Sequence, residues 1–458
     1  MTADASHVIE NAENEIQTSL PVRHIVRTWW PLAASWLFMA IEGPMMSSVV
    51  ARLADPEIHL AAWGGVVWPV ALVIESPIIM LLSASTALSK DWDSYLKLRR
   101  FMMWAGAILT ALHVVVAFTP LYYLVVVDVI GAPAEIVEPA RIGMMIMTPW
   151  TWAIAYRRFN QGVLIRFGHS RAVGLGTAVR LTADGAVLLI GYAMGTAAGI
   201  VVATCAIATG VVGEALYAGL RVRPVLRDQL RRAAPAEQPL TLHTFLEFYA
   251  PLAMTSLISL LAQPIGSAAL SRMPAPLESL AVWSVVSGFI FLLRSPGYAY
   301  NEVVIALLDE PRAVRNLRRF ALLLAALTTA VLLIIAVTPL ATLWFGYVAA
   351  LDPRLVALAR AGLWIGLPIP GLNALYSWYQ GVIVHSRRTR GVTEAVATFL
   401  FTTSAILWGG VAWGQVTGLY VGLAAFGAGS LAQTAWLWWR SRPVLHALRV
   451  RDKVPSWA

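Results

Sequence analysis

Runs of twenty or more mostly apolar residues recur along the whole chain, separated by short polar connections. The pattern predicts about twelve helical spans, near 28–50, 61–88, 102–126, 138–165, 172–193, 196–220, 245–271, 279–308, 320–346, 356–385, 392–414 and 417–440. Each run is long enough to cross the hydrocarbon of a bilayer. The connections alternate in charge. Arg23 and Arg27, then Lys90, Lys97, Arg99 and Arg100, then Arg166 and Arg171 occupy one set. Arg221, Arg223, Arg227, Arg231 and Arg232 continue it, followed by Arg312, Arg315, Arg318 and Arg319, by Arg387, Arg388 and Arg390, and by the tail from Arg440 to Lys453. The other set holds Arg52, Arg272 and Arg354 beside Asp55, Glu57, Glu135, Glu138 and Asp352. Positive charge stays in the cytoplasm, so both termini are expected there.

The spans fall into two parallel sets. Pro31-Leu32-Ala33, Pro44, Arg52, Pro56 and Leu60-Ala61-Ala62-Trp63 return as Pro251-Leu252-Ala253, Pro264, Arg272, Pro276 and Leu280-Ala281-Val282-Trp283. Glu75-Ser76-Pro77 is answered by Arg294-Ser295-Pro296, and Leu98-Arg99-Arg100-Phe101 by Leu317-Arg318-Arg319-Phe320. Thr119-Pro120 recurs as Thr338-Pro339 and Gln161-Gly162 as Gln380-Gly381, at an offset that stays near 220 residues. Parallel repeats in an apolar chain predict a transporter that rocks two bundles about a central site. The expected divisions are a disordered cytoplasmic tail at 1–24, a six-helix bundle at 25–220, a basic linker at 221–243, a second bundle at 244–441 and a basic tail at 442–458.

Composition narrows the class further. Of 458 residues, 58% are hydrophobic and only 13% charged, with a mean hydropathy of +0.68, too little charge to cover a soluble domain. The net charge of +9 sits in short loops and not on one basic face, which argues against nucleic acid. Asp4, Glu10, Glu13 and Glu15 make the start unlike a cleavable signal. A single cysteine, Cys205, excludes an intramolecular disulfide framework and a thiolate metal site. His113, His169 and His385 are scattered, and neither a phosphate loop nor a Gly-x-Ser-x-Gly elbow is present, so no cofactor and no enzymatic chemistry is expected.

The arrangement resembles the multidrug/oligosaccharidyl-lipid/polysaccharide exporter superfamily, an all-α, V-shaped, MATE-like bundle. Trp30-Pro31-Leu32, Leu60-Ala61-Ala62-Trp63-Gly64 with Ser76-Pro77, Gln263-Pro264-Ile265 and Arg294-Ser295-Pro296-Gly297-Tyr298 are similar to its progressive ankylosis branch. The resemblance implies export of small organic anions such as citrate, nucleotide or pyrophosphate. Flipping of an anionic lipid-linked sugar and cation-coupled multidrug efflux are the alternatives within the superfamily. A monomer in the inner membrane, in contact with lipid and a small solute, is the expected state.

Ionisable residues inside spans cost about 2.5 kcal/mol or more each and mark candidate sites. Glu75 and Arg294 are repeat counterparts, expected to meet across the cleft in one conformation. Glu42, directly before Gly43-Pro44, and Glu75 are the candidate seats of a coupling H+ or Na+. Arg157 and Arg158 offer forks for carboxylate or phosphate, with at most one facing the cleft squarely. Tyr298, Asn301, Gln161, Tyr376 and Gln380 complete the expected substrate wall. Helix breaks are expected at Pro44, Pro77, Pro264 and Pro296. Arg180 and Asp184, four residues apart, predict a self-neutralising pair. Glu302 reads as ordinarily solvated. Trp29, Trp30, Trp436, Trp438 and Trp439 read as interfacial anchors.

Overall fold

The computed structural model describes residues 20–236, 238–310, 312–386 and 390–453. In hydrocarbon every backbone amide and carbonyl must be bonded within its own segment, so the apolar runs become helices. They are α1 (Val22–Val50), α2 (Pro56–Leu88), α3 (Trp92–Phe118), α4 (134–166), α5 (Ser170–Met194) and α6 (Gly199–Asp228). The second set is α7 (Leu242–Leu270), α8 (Pro276–Leu307), α9 (Ala313–Val337), α10 (Pro353–His385), α11 (Arg390–Trp413) and α12 (Gly418–Lys453). Among the described residues there is no strand. Ten of these segments are long and apolar enough to cross a membrane, which makes this a multi-pass membrane protein. The segment α4 is not one of the ten, because Arg157, Arg158 and Arg166 dilute it, and α12 is not either.

Several boundaries differ from the sequence expectation. The third span ends at Phe118, and a separate apolar helix, Leu121–Ile130, follows it. The same insertion occurs after α9 as helical turns over 340–348. The linker is helical to Asp228 and again over Leu230–Arg232, and α12 runs on through the basic tail to Lys453. Most of the expected amino-terminal tail lies outside the described residues.

The repeat reaches atomic detail. Both α5 and α11 end on a left-handed glycine, Gly195 at φ 65° and Gly414 at φ 64°, which terminates the helix without a Cβ clash. The expected helix breaks need correction. Helix continues through Pro44, Pro264 and Pro296, and α2 is interrupted at Met80 and by the wide turn Trp63–Val67 rather than at Pro77. Proline deletes one amide bond, and the preceding serine repairs the loss. Ser76 Oγ donates to Val73 O at 2.8 Å and Ser295 Oγ to Leu292 O at 2.9 Å.

The halves meet through α1 against α8 and α7 against α2. Two pairs of symmetric bonds tie them. Trp29 Nε1 donates to Pro296 O at 2.9 Å, and its counterpart Tyr249 donates to Pro77 O. Trp29 is therefore a cross-half contact, unlike Trp30, which is 59% exposed as an anchor should be. On the face away from the basic connections, Arg272 donates to Ile130 O at 2.6 Å, Val129 O at 2.8 Å and Asp128 O at 3.2 Å. Its counterpart Arg52 donates to Val348 O at 2.9 Å and to Tyr347 O. Each arginine thus caps the end of the other half's short helix, where carbonyls lack amide partners and the dipole favours a cation. Beneath these latches α2 and α8 touch so closely that a Cβ on Gly64 would lie 2.5 Å from Ser284 Cβ.

Candidate functional site

The charged interior belongs to the first half. Helices α1, α2, α4, α5 and α6 each send an ionisable group into it. Arg157 on α4 forms an ion pair with Glu214 on α6, and Gln161, one turn on, donates Nε2 to Glu214 Oε1 at 2.9 Å. Arg157, Gln161 and Glu214 are all buried. Arg180 on α5 holds Glu42 on α1 with both arms of its fork, Nε to Oε1 at 3.0 Å and the second nitrogen to Oε2. The expected Arg180–Asp184 pair is secondary, at 3.8 Å. Helical spacing placed the two on one face, but the bidentate partner across the bundle has the better geometry.

Glu75 is 1% exposed and faces Thr151, Arg157, Arg158 and Arg180. It is not within ion-pair distance of Arg294, so in this conformation each member of that counterpart pair is engaged within its own half. Arg158 is half-buried, with Arg157, Arg180, Glu75 and Glu214 as its charged neighbours. Its guanidinium thus lies among the charged groups of the cluster. Beside Thr151, buried His113 bonds Thr151 Oγ1 at 2.8 Å and Met144 O at 3.0 Å. Four acids, Glu42, Glu75, Asp184 and Glu214, share this interior with three bases, Arg157, Arg158 and Arg180, an excess of one acid. The second half carries no such set. Counterpart positions hold Ala262, Arg294, Thr403, Gln433 and, for Arg180, Phe399.

Arg294 organises a second group, on α8 and α10. It donates to Asn373 Oδ1 at 3.2 Å and lies 5.0 Å from the centre of the Tyr298 ring, while its Nε is buried without a partner. Asn373 Nδ2 returns a bond to Arg294 O at 2.9 Å. Trp36 of α1 stacks on Tyr298 at 5.1 Å, so the aromatic surface crosses between the halves. Tyr376 is half-buried next to Tyr298 and Arg294. One turn along α8, Asn301 Oδ1 is buried and unbonded. Gln380 is half-buried near the end of α10, and Glu302 is exposed, as expected.

Sequence reasoning missed Glu214, Asn373 and Thr151. Glu214 had a readable signal, a lone carboxylate inside an apolar run of α6. Asn373 and Thr151 are ordinary polar residues of spans, and only the packing singles them out.

No protein-family model and no curated protein sequence matches the chain. In fold it is similar to an inward-facing multidrug resistance MATE family transporter of the MOP superfamily, at 15% identity and TM-score 0.72 over 92% of this chain and 96% of that one. It is also similar to the lipid II flippase MurJ in an inward closed conformation, at 14% identity and TM-score 0.69 over 92% and 90%. A third is a MOP superfamily transporter from Pyrococcus furiosus, described by a reversed polarity of its binding pocket, at 17% identity and TM-score 0.63 over 94% and 97%. The chain shares its fold with these three membrane proteins.

Proposed function

We propose that this chain is a secondary active exporter of the inner membrane that moves a small organic anion by alternating access. The observation that carries the reading is the division of labour between the halves. The first half buries an ionisable cluster with one acid in excess, and the second presents a cation on an aromatic wall.

A buried cluster with surplus negative charge costs free energy until a cation or proton neutralises it. One proton or one sodium ion restores neutrality. Glu42 and Glu75 are the coupling residues, with Asp184, whose oxygens accept no hydrogen bond and lie no closer than 3.8 Å to Arg180, as a further acid. Arg157 is committed to Glu214, so in this conformation it supports the cluster and does not offer its fork to substrate. Arg157, Arg158 and Arg294 each keep an unpartnered Nε, but only Arg157 is in an ion pair, so Arg158 and Arg294 are the substrate cations. Tyr298, Trp36 and Tyr376 hold the organic body of the anion, and Asn301 and Gln380 are polar contacts along its path, whereas Gln161, bonded to Glu214, supports the cluster in this conformation.

Closure of the outer side rests on the Arg52 and Arg272 latches and on the Gly64–Ser284 contact. Among the described residues α8 packs on α2 over 56–67 and has no comparable packing with 68–88, and on this reading solute enters from the cytoplasm. Loading of the cluster shifts α1 and α5, and α1 carries that shift to α8 through Trp36 and Trp29. The likeness to MurJ keeps a second reading in view, flipping of an anionic lipid-linked sugar past the same arginines. Counterflow in proteoliposomes separates the two. Citrate or nucleotide exchange, driven by an imposed proton or sodium gradient and lost in Glu42→Gln, supports the exporter. Movement of a lipid-linked pyrophosphate with no soluble-anion flux supports the flippase.

A further inference from the structure

Arg141 and Arg360 occupy equivalent positions in the repeat, each two turns inside the outer end of its helix pair. Their surroundings have diverged. Arg141 is fully engaged. It donates to the Tyr123 hydroxyl at 2.6 Å and lies 5.1 Å from the centre of that ring, and the hydroxyl donates onward to Glu138 at 2.7 Å. In the second half Thr342 stands where Tyr123 does and Ala357 where Glu138 does. Both bulky partners are gone but the arginine remains. The space they would fill is an open cleft of about 380 Å³ lined by Thr342, Gly346, Tyr347, Val356, Ala357 and Arg360. Arg360 is exposed there and makes no hydrogen bond or ion pair among the described residues.

An unpaired guanidinium inside a membrane helix needs an anion or the headgroup layer. Seven residues separate Arg360 from Pro353, roughly 10 Å along the helix at 1.5 Å per residue. Its side chain therefore reaches the level of lipid phosphates. Tyr347 of the cleft wall is 73% exposed, and so are Leu343, next to Thr342 in the chain, at 48% and Trp364, one turn beyond Arg360, at 51%. We infer that this cleft is a binding site for the phosphate headgroup of an outer-leaflet phospholipid, with the Arg360 fork on the phosphate and an acyl chain along Leu343 and Trp364. It lies on the outer flank of the second half, apart from the transport site, and does not depend on what is transported.

The test is photolabelling in vesicles with phosphatidylglycerol bearing a diazirine near the headgroup, followed by peptide mapping of full-length protein. Wild type should label within 340–364. A basic residue at the membrane surface is worth about 1 kcal/mol towards an anionic lipid, so Arg360→Gln should cut that labelling about fivefold. Thr342→Tyr with Ala357→Glu rebuilds the filled arrangement of the first half and should cut it as much while leaving the arginine in place. Arg360→Lys should retain most of it. Equal labelling of 340–364 in Arg360→Gln and in the filled variant would overturn the assignment. Equal labelling by a diacylglycerol probe without phosphate would also overturn it, and so would competition by soluble glycerol phosphate as effective as by added lipid.

Discussion

On the proposed closure by Arg52 and Arg272, removing these latches should open the outer face by a calculable amount. Arg272 makes three bonds to carbonyls of the opposite half and Arg52 two, all with a charged donor. Buried, such bonds are worth about 1.5–3 kcal/mol each. Both side chains are exposed and exchange these bonds for water, so roughly 1–1.5 kcal/mol per latch is the realistic figure. At 1.4 kcal/mol per tenfold, Arg52→Ala or Arg272→Ala should raise the open fraction about five- to tenfold. The latches share no partner, so the double variant should approach the product, about fiftyfold. Ser284, packed against Gly64 beneath them, reports the opening. With Cys205 replaced by serine and Ser284 by cysteine, the rate of modification by an impermeant maleimide added from outside measures the open state. A rate unchanged in the double variant would refute the assignment of these arginines to closure. A double effect no larger than either single one would refute their independence.

Further outcomes follow from the same geometry. Glu214→Gln strands buried Arg157 without its ion partner and should lower stability by about 3–5 kcal/mol, read as a fall in melting temperature in detergent. A Cβ on Gly210 would lie 1.7 Å from Asp184 Oδ1, whereas one on Gly174 would meet nothing within 4 Å. Gly210→Ala should therefore cost about 1–3 kcal/mol and impair coupled transport, while Gly174→Ala behaves as wild type in both measurements. Asp91 ties the linker to α3, with Oδ1 accepting from Ser94 N and Oδ2 from Ala236 N, each at 2.8 Å or less. Burial pushes its carboxyl up, but those bonds and Lys97 outweigh it and leave the value below the ordinary 3.8. A depressed carboxylate contributes above its ordinary value and loses the contribution as pH falls through the lowered one. Exchange of the Ala236 amide should stay protected from neutral pH down to that range and rise below it, and in Asp91→Asn it should be fast at every pH.

Much of the fold was legible because the bilayer leaves the chain few choices. Apolar length fixed the helices, and the duplicated Pro, Arg and Trp positions fixed the two halves. The latch arginines were visible as counterparts, Arg52 and Arg272, but not as latches, since their partners are backbone carbonyls that no side-chain pattern betrays. The candidate site was legible in part. Glu42, Glu75, Arg157 and Arg180 were found as charges inside spans, yet their principal partners were not. Arg180 meets Glu42 across 138 residues, whereas local spacing pointed to Asp184. Glu75 and Arg294 share a repeat position, but the charge environment of the first half draws Glu75 inward. Pro77 and Pro296 looked like breaks because a proline removes an amide, and the serine before each repairs the loss.

The most direct test of the central claim is uptake into proteoliposomes of labelled citrate and ATP, compared with a cationic dye, in wild type and Arg294→Ala. Gradient-driven anion movement that is lost in the variant, with the dye excluded from both, is the predicted result. Dye movement that survives Arg294→Ala, with no anion flux in wild type, would contradict the account and leave Arg294 a structural residue.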